Sequence, residues 1–162
     1  MSRNIGVIGL GAMGRGMAGS LRRAGYLVHA CDVRFEAAQA FAADGGVACV
    51  TPAEVAVQCE VIVSVVVNAA QTETVLFGPG GAAGAMQAGS VFVMCSTVDP
   101  NWSIATEQRL AVLGLLYLDA PISGGAARAA SGEMTMMTAG RPEAYAKVGA
   151  ALDAMAAKVY RL

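Results

Sequence analysis

Short apolar runs alternate with longer stretches in which apolar positions recur every three or four residues along the whole chain. NIGVIG (4–9), YLVHAC (26–31), EVIVSVVV (60–67), SVFVMC (90–95), LLYLDAP (115–121) and EMTMMTAG (133–140) read as strands. EVIVSVVV is β-branched and continuous, which predicts a strand buried on both faces. Between these runs, 13–24 places Met13, Met17, Leu21 and Ala24 on one helical face, and FEAAQAFAADGG reads as a helix stopped by Gly45–Gly46. Further helices are expected to open at Pro52, over about 70–77, over 101–113 and over 143–156 behind Pro142, with a last strand in AAKVYRL. Strands alternating with helices predict right-handed crossovers and an α/β fold: a Rossmann-like, doubly wound, mostly parallel sheet in a single domain over 1–162. Residues 118–133, LDAPISGGAARAASGE, break the pattern, replacing large side chains by a Pro, two glycines and small residues, and read as the bare floor of a pocket.

Composition narrows the classes. Hydrophobic residues reach 56% and charged ones only 14%, which fits elements covered on more than one side. A net charge of −1 gives no electrostatic reason to expect nucleic acid or an anionic membrane as partner. The uncharged stretch 74–98 is interrupted by Pro79 and five glycines, so a buried turn is expected there, not a membrane span. Six glycines and Arg15 make the N-terminal segment a poor signal peptide. Cys31, Cys49, Cys59 and Cys95 show no CxxC pairing, which predicts free buried thiols in a cytoplasmic protein and no metal site.

The first strand runs into GLGAMG, where Gly9, Gly11 and Gly14 have the G-x-G-x-x-G spacing. Gly9 permits a tight turn, Gly11 lets backbone approach a pyrophosphate, and Gly14 lets the following helix pack close to the strand. The unsatisfied N–H groups at the start of that helix point at the anion. The next strand closes on Asp32, 18 residues after Gly14, where a carboxylate accepts hydrogen bonds from an adenosine ribose. The plainer reading makes the glycines packing devices and Asp32 the cap of a turn. The order strand, glycines, helix, strand, acid favours a dinucleotide. A carboxylate at Asp32 repels a 2′-phosphate, so NAD is expected over NADP; Arg34 could soften the preference, and a solvated Arg on a loop is its more ordinary reading.

Later strand ends carry Asn68 and Thr72, then Ser96 and Thr97, then Asp119, Pro121, Ser123, Gly124 and Gly125. Alone, Asn68 and Ser96 read as helix caps. With GVIGLGAMGRGMAGSL, CDVR, VVVN, CSTVDP and DAPISGGAARAASGEMTMMTAG in this order, the chain resembles the β-hydroxyacid dehydrogenases along its whole length. The wording of VVNAAQTETVLFG is most similar to their L-threonate dehydrogenase subgroup.

The resemblance implies that Gly9, Leu10, Gly11, Ala12, Met13 and Gly14 hold the pyrophosphate and Asp32 the ribose. It places Val67 and Asn68 on the adenosine side, where many members have Leu-Pro, and Thr72 where they have a cofactor-contacting Asn. Thr97 would meet the nicotinamide ribose, and Ser123, Gly124 and Gly125 the small hydroxyacid substrate. The family's general acid/base is a Lys beyond the cofactor domain, expected past Leu162, so no catalytic residue is assigned here. Lys147 and Lys158 read as solvated charges and His29 as a core or edge histidine. Without the helical catalytic domain, an exposed apolar patch or a homo-oligomer is expected. A non-catalytic nucleotide sensor and a methyltransferase are the alternatives.

Overall fold

The computed structural model describes residues 3–162; Met1 and Ser2, assigned above to the same domain, lie outside the described residues. The apolar runs become β1 (Asn4–Ile8), β2 (Leu27–Cys31), β3 (Val47–Cys49), β4 (Val61–Ser64), β5 (Val91–Met94) and β6 (Leu116–Asp119). They pair in the order β3-β2-β1-β4-β5-β6, every pair parallel. β7 (Ile122–Ser123), β8 (Met134–Gly140) and β9 (Ala156–Arg161) complete the sheet. β8 runs antiparallel to β6 and β7 and parallel to β9.

The helices are α1 (Ala12–Arg23), α2 (Phe35–Ala43), α3 (Pro52–Ala56), α4 (Ala69–Phe77), α5 (Pro100–Val112), α6 (Gly125–Ser131) and α7 (Pro142–Met155). Alternate strand residues feed two cores. Val7, Val63, Val91 and Val93 pack with Met17, Leu21, Phe41, Ala129 and Leu152, the side of α1, α2, α6 and α7. Ile8, Ile62, Phe92 and Met94 pack with Val55, Leu76 and Leu110, the side of α3, α4 and α5. Because both faces are covered, β1, β4 and β5 are almost wholly buried, as a parallel sheet requires.

Several expectations need correction. EVIVSVVV is a strand only over Val61–Ser64; the Val65 N–H makes the last bond of the ladder with β1, to the Ile8 carbonyl at 2.7 Å, and beyond it Val67 is exposed. β3 has no counterpart in the sequence reading. Part of the stretch read as a bare floor is a helix: Ala is a strong helix former and Gly125–Ser131 is helical, ending on Gly132 at φ +75°. Its small side chains serve a helix–helix contact, since a Cβ on Gly16 of α1 would stand 2.6 Å from the Ala130 nitrogen.

The uncharged stretch 74–98 does turn through the core, burying Ala82, Ala83 and Met86. No helix among the described residues is long and apolar enough to cross a membrane. All four cysteines are free and buried. Burial, reinforced by Cys49, Asp32 and Glu54, pushes the Cys31 thiol up to about 11. The exposed large apolar side chains include Met137 and Tyr160, which are register partners on β8 and β9.

His29 lies inside β2, buried, with Nε2 2.9 Å from Asn4 Oδ1. Burial disfavours the imidazolium and lowers the His29 pKa below 6.5. The unfolded chain then takes up more protons than the folded one as pH falls. Stability from this group is full above about pH 6.5 and declines below it. The denaturation midpoint should fall between about pH 7.5 and pH 5.5, and His29→Gln should flatten that dependence.

Candidate cofactor site

The strand order reverses between β1 and β4, and ligands of such sheets bind beyond the carboxyl ends at that reversal. The loop after β1 carries the three glycines. Gly9 has φ +98°, and its missing Cβ would lie 2.4 Å from the Val65 carbonyl oxygen, so the loops after β1 and β4 touch through it. A Cβ on Gly14 would stand 1.9 Å from the Gly9 carbonyl oxygen, so helix and loop close only on a bare Cα. Gly11 is different: a Cβ there would meet nothing within 4 Å. That bare backbone opens on the side where an anion would approach the first N–H groups of α1.

The space beside it is a cleft of ≈ 560 Å³, lined among others by Leu10, Gly11, Ala12, Arg34, Ala126 and Ala130. It follows α1 from Gly11 to Gly19 and Arg23, and Asp32, Val67, Asn68, Thr97 and Ser123–Gly125 are not among the residues that line it. Arg15 and Arg23 also line it, giving the cleft a positive rim. Asp32 stands at the end of β2 with its side chain 10% exposed. Oδ2 accepts from the Leu10 N–H at 2.7 Å and Oδ1 from the Arg34 N–H at 2.9 Å. The carboxylate therefore ties the glycine loop to its own turn, and the turn-capping role is real. Each oxygen retains a lone pair for a further donor. The Arg34 guanidinium, 72% exposed, lies 3.8 Å away and is held loosely.

The other expected positions divide. Asn68 caps α4, its Oδ1 accepting from the Gln71 N–H at 2.9 Å, and Val67 is exposed on the rim. Thr72 has no exposed surface, and its hydroxyl donates to the Asn68 carbonyl at 2.9 Å. It supports that wall from behind. Ser96 is not a cap: its hydroxyl donates to the Val66 carbonyl at 2.5 Å, and Asp99 caps α5. Thr97 is exposed after β5. Met13, at 38% exposure, stands outside the core while Met17 and Leu21 are fully buried.

Ser123, Gly124 and Gly125 are exposed where β7 meets α6, with Gly124 at φ +139° and Gly125 at φ +75°. A Cβ on Gly125 would meet nothing within 4 Å. Asp119 turns toward α5, lining a separate depression with Ser103 and Tyr117, and burial raises its carboxyl. Lys147 packs near Gly89, just before β5, at the edge opposite the glycine loop. Lys158 is exposed on β9, in register with Ser123 through Thr135. No cluster of acidic, His and Cys residues among the described residues could hold a metal.

Fold and site together define a dinucleotide-binding domain. The chain belongs to the family described as the NAD binding domain of 6-phosphogluconate dehydrogenase, whose sequence model matches residues 4–162. It is 62% identical over 162 residues to the L-threonate dehydrogenase of Cupriavidus necator, a match covering 100% of this chain and 54% of that enzyme. The crystal structure of 3-hydroxyisobutyrate dehydrogenase from Salmonella typhimurium superposes with a TM-score of 0.93 at 40% identity, over 98% of this chain and 55% of that one. Psf3 in complex with NADP+ and 2-OPP is similar at a TM-score of 0.92 and 25% identity, over 98% and 56% of the two chains. The chain thus spans about half the length of the curated relatives it matches. The relatives identify it as the nicotinamide-cofactor domain of a hydroxyacid dehydrogenase family.

Proposed function

We propose that this chain is the cofactor-binding half of a cytoplasmic NAD-dependent dehydrogenase that oxidises a small hydroxyacid, L-threonate being the leading candidate. The observation that carries the reading is the glycine loop. Gly9 and Gly14 are bare because protein backbone stands against them, and Gly11 is bare although nothing does. The open side of Gly11 fits a pyrophosphate lying on the start of α1, with Leu10, Ala12 and Met13 around it. Asp32 takes the ribose diol and disfavours a 2′-phosphate, so NAD is preferred over NADP. Val67 and Asn68 form the adenosine-side rim, Thr72 braces it, and Thr97 meets the nicotinamide ribose. Ser123, Gly124 and Gly125 receive the oxygens of the hydroxyacid.

The bound cofactor supplies the hydride-accepting nicotinamide. The residues of this chain bind and orient. Neither lysine stands at the glycine loop, and the family resemblance gives the proton acceptor to a Lys of a helical domain outside this chain. Losing a general base costs about 10²–10⁴-fold in rate. L-Threonate comes from the identity to the Cupriavidus enzyme, which covers all of this chain.

Calorimetry with NAD and NADP, followed by NADH absorbance in the presence of L-threonate, tests the reading. NAD should bind at least about tenfold more tightly than NADP, a difference of about 1.4 kcal/mol. No NADH should form. A chain that fails to bind NAD would overturn the assignment, and measurable turnover would overturn the placement of the base.

A further inference from the structure

The cofactor loop and the Ser123–Gly125 segment each lead into a helix, α1 and α6, and these two helices are joined. α6 has only seven residues, too few for a helix to persist without tertiary support. Its support is a polar clamp at its far end. The buried Ser20 hydroxyl of α1 donates to the Ala129 carbonyl at 2.9 Å. The Arg23 guanidinium donates to the Ala130 carbonyl, and to Ser20 Oγ at 3.0 Å. Carbonyls in the last turn of a helix lack regular intrahelical donors; Ala129 has only the long 3.4 Å bond from the Gly132 N–H within its own segment, and α1 adds the shorter one.

The bare Cα of Gly16 sets the spacing, because a Cβ would stand 2.6 Å from the Ala130 nitrogen and 2.8 Å from the Ala129 carbonyl carbon. Held this way, α6 presents Ala126 and Ala130 to the cleft that also holds Gly11 and Ala12.

We propose that Ser20, with Arg23 as its partner, is a positioning residue that fixes the Ser123–Gly125 segment relative to the Gly9–Gly14 loop by holding α6 against α1. The inference rests on the reading that those two segments receive substrate and cofactor. Ser20 touches neither. It aligns them by making the two helices one rigid body.

Amide ¹⁵N relaxation of this chain, paired with NAD titration, tests it. In the wild type, amides of 123–126 should have order parameters near 0.85, typical of rigid backbone. Ser20→Ala should bring them below about 0.6, leave β1 and β5 rigid, and change NAD affinity by less than about threefold. Ser20→Thr keeps the hydroxyl and should keep the segment ordered. Gly16→Ala, which pushes α6 away with the hydroxyl intact, should loosen the same amides. The proposal is overturned if 123–126 stay rigid in both Ser20→Ala and Gly16→Ala. Equal loss of order in β1 and β5 would overturn it too, by making Ser20 a residue of the general fold. Failure of the wild type to bind NAD is a separate result that removes the functional reading, whatever the relaxation data show.

Discussion

Gly11→Ala is expected to leave the chain folded and to weaken NAD binding by about 100-fold, or some 2.7 kcal/mol. The added methyl meets no protein atom within 4 Å, and the φ of −68° at this position is open to alanine. Alanine is a poorer helix cap than glycine, which limits the stability loss to about 1 kcal/mol or less. The methyl instead occupies the space that the proposed reading gives to the pyrophosphate. Gly14→Ala, three residues on, should behave in the opposite way. Its methyl would lie 1.9 Å from the Gly9 carbonyl oxygen, a backbone atom with no rotamer by which to escape. Overpacking of this kind costs about 1–3 kcal/mol or more, so the denaturation midpoint should drop and binding should fall with it. Thermal unfolding and calorimetry on the two variants separate the roles. A Gly11→Ala chain that binds NAD like the wild type would refute the assignment of that open side to the cofactor.

That contrast bears on how far the sequence could be read. The spacing of Gly9, Gly11 and Gly14 after an apolar strand, with Asp32 closing the next strand, pointed to the candidate site because the loop they form is set by local backbone geometry. β1, β4 and β5 were legible for a related reason, since burial on both faces leaves unbroken apolar runs. β3 was not: Val47 and Ala48 are only half-buried, and three residues give no period to detect. α6 was missed because Gly124, Gly125 and Gly132 look like turn signals, and a run of alanines has no polar face to contrast with an apolar one. Its purpose is fixed by Ser20, 109 residues away from Ala129, and no local pattern reports such a contact. The same holds for Ser96, which resembles a cap until Val66 is seen beside it. Thr72 looks available to a ligand until its burial is known.

Asp32→Ala should cost both stability and cofactor affinity, because the carboxylate holds the glycine loop and, on the proposed reading, also receives the ribose. It is the acceptor for the N–H of Leu10, at 2.7 Å in a partly buried setting, and for the N–H of Arg34 at 2.9 Å. Leaving a buried donor unpaired costs about 1–3 kcal/mol, which the denaturation midpoint should report. The glycine loop also loses its anchor to β2, and the ribose of the proposed complex would lose a charged acceptor, a bond of about 1.5–3 kcal/mol. NAD affinity should therefore fall about 100-fold, while NADP affinity falls less, since the repulsion against a 2′-phosphate goes with the carboxylate. The exposed Arg34 guanidinium, 3.8 Å from Asp32, is then free to meet that phosphate. Asp32→Asn should be intermediate: its amide oxygen keeps one of the two N–H bonds, and its NH₂ opposes the other donor. Parallel titrations of NAD and NADP into the three proteins read the ratio directly. If Asp32→Ala keeps the wild-type preference for NAD, specificity arises elsewhere in the cleft and Asp32 is only the strut of the loop.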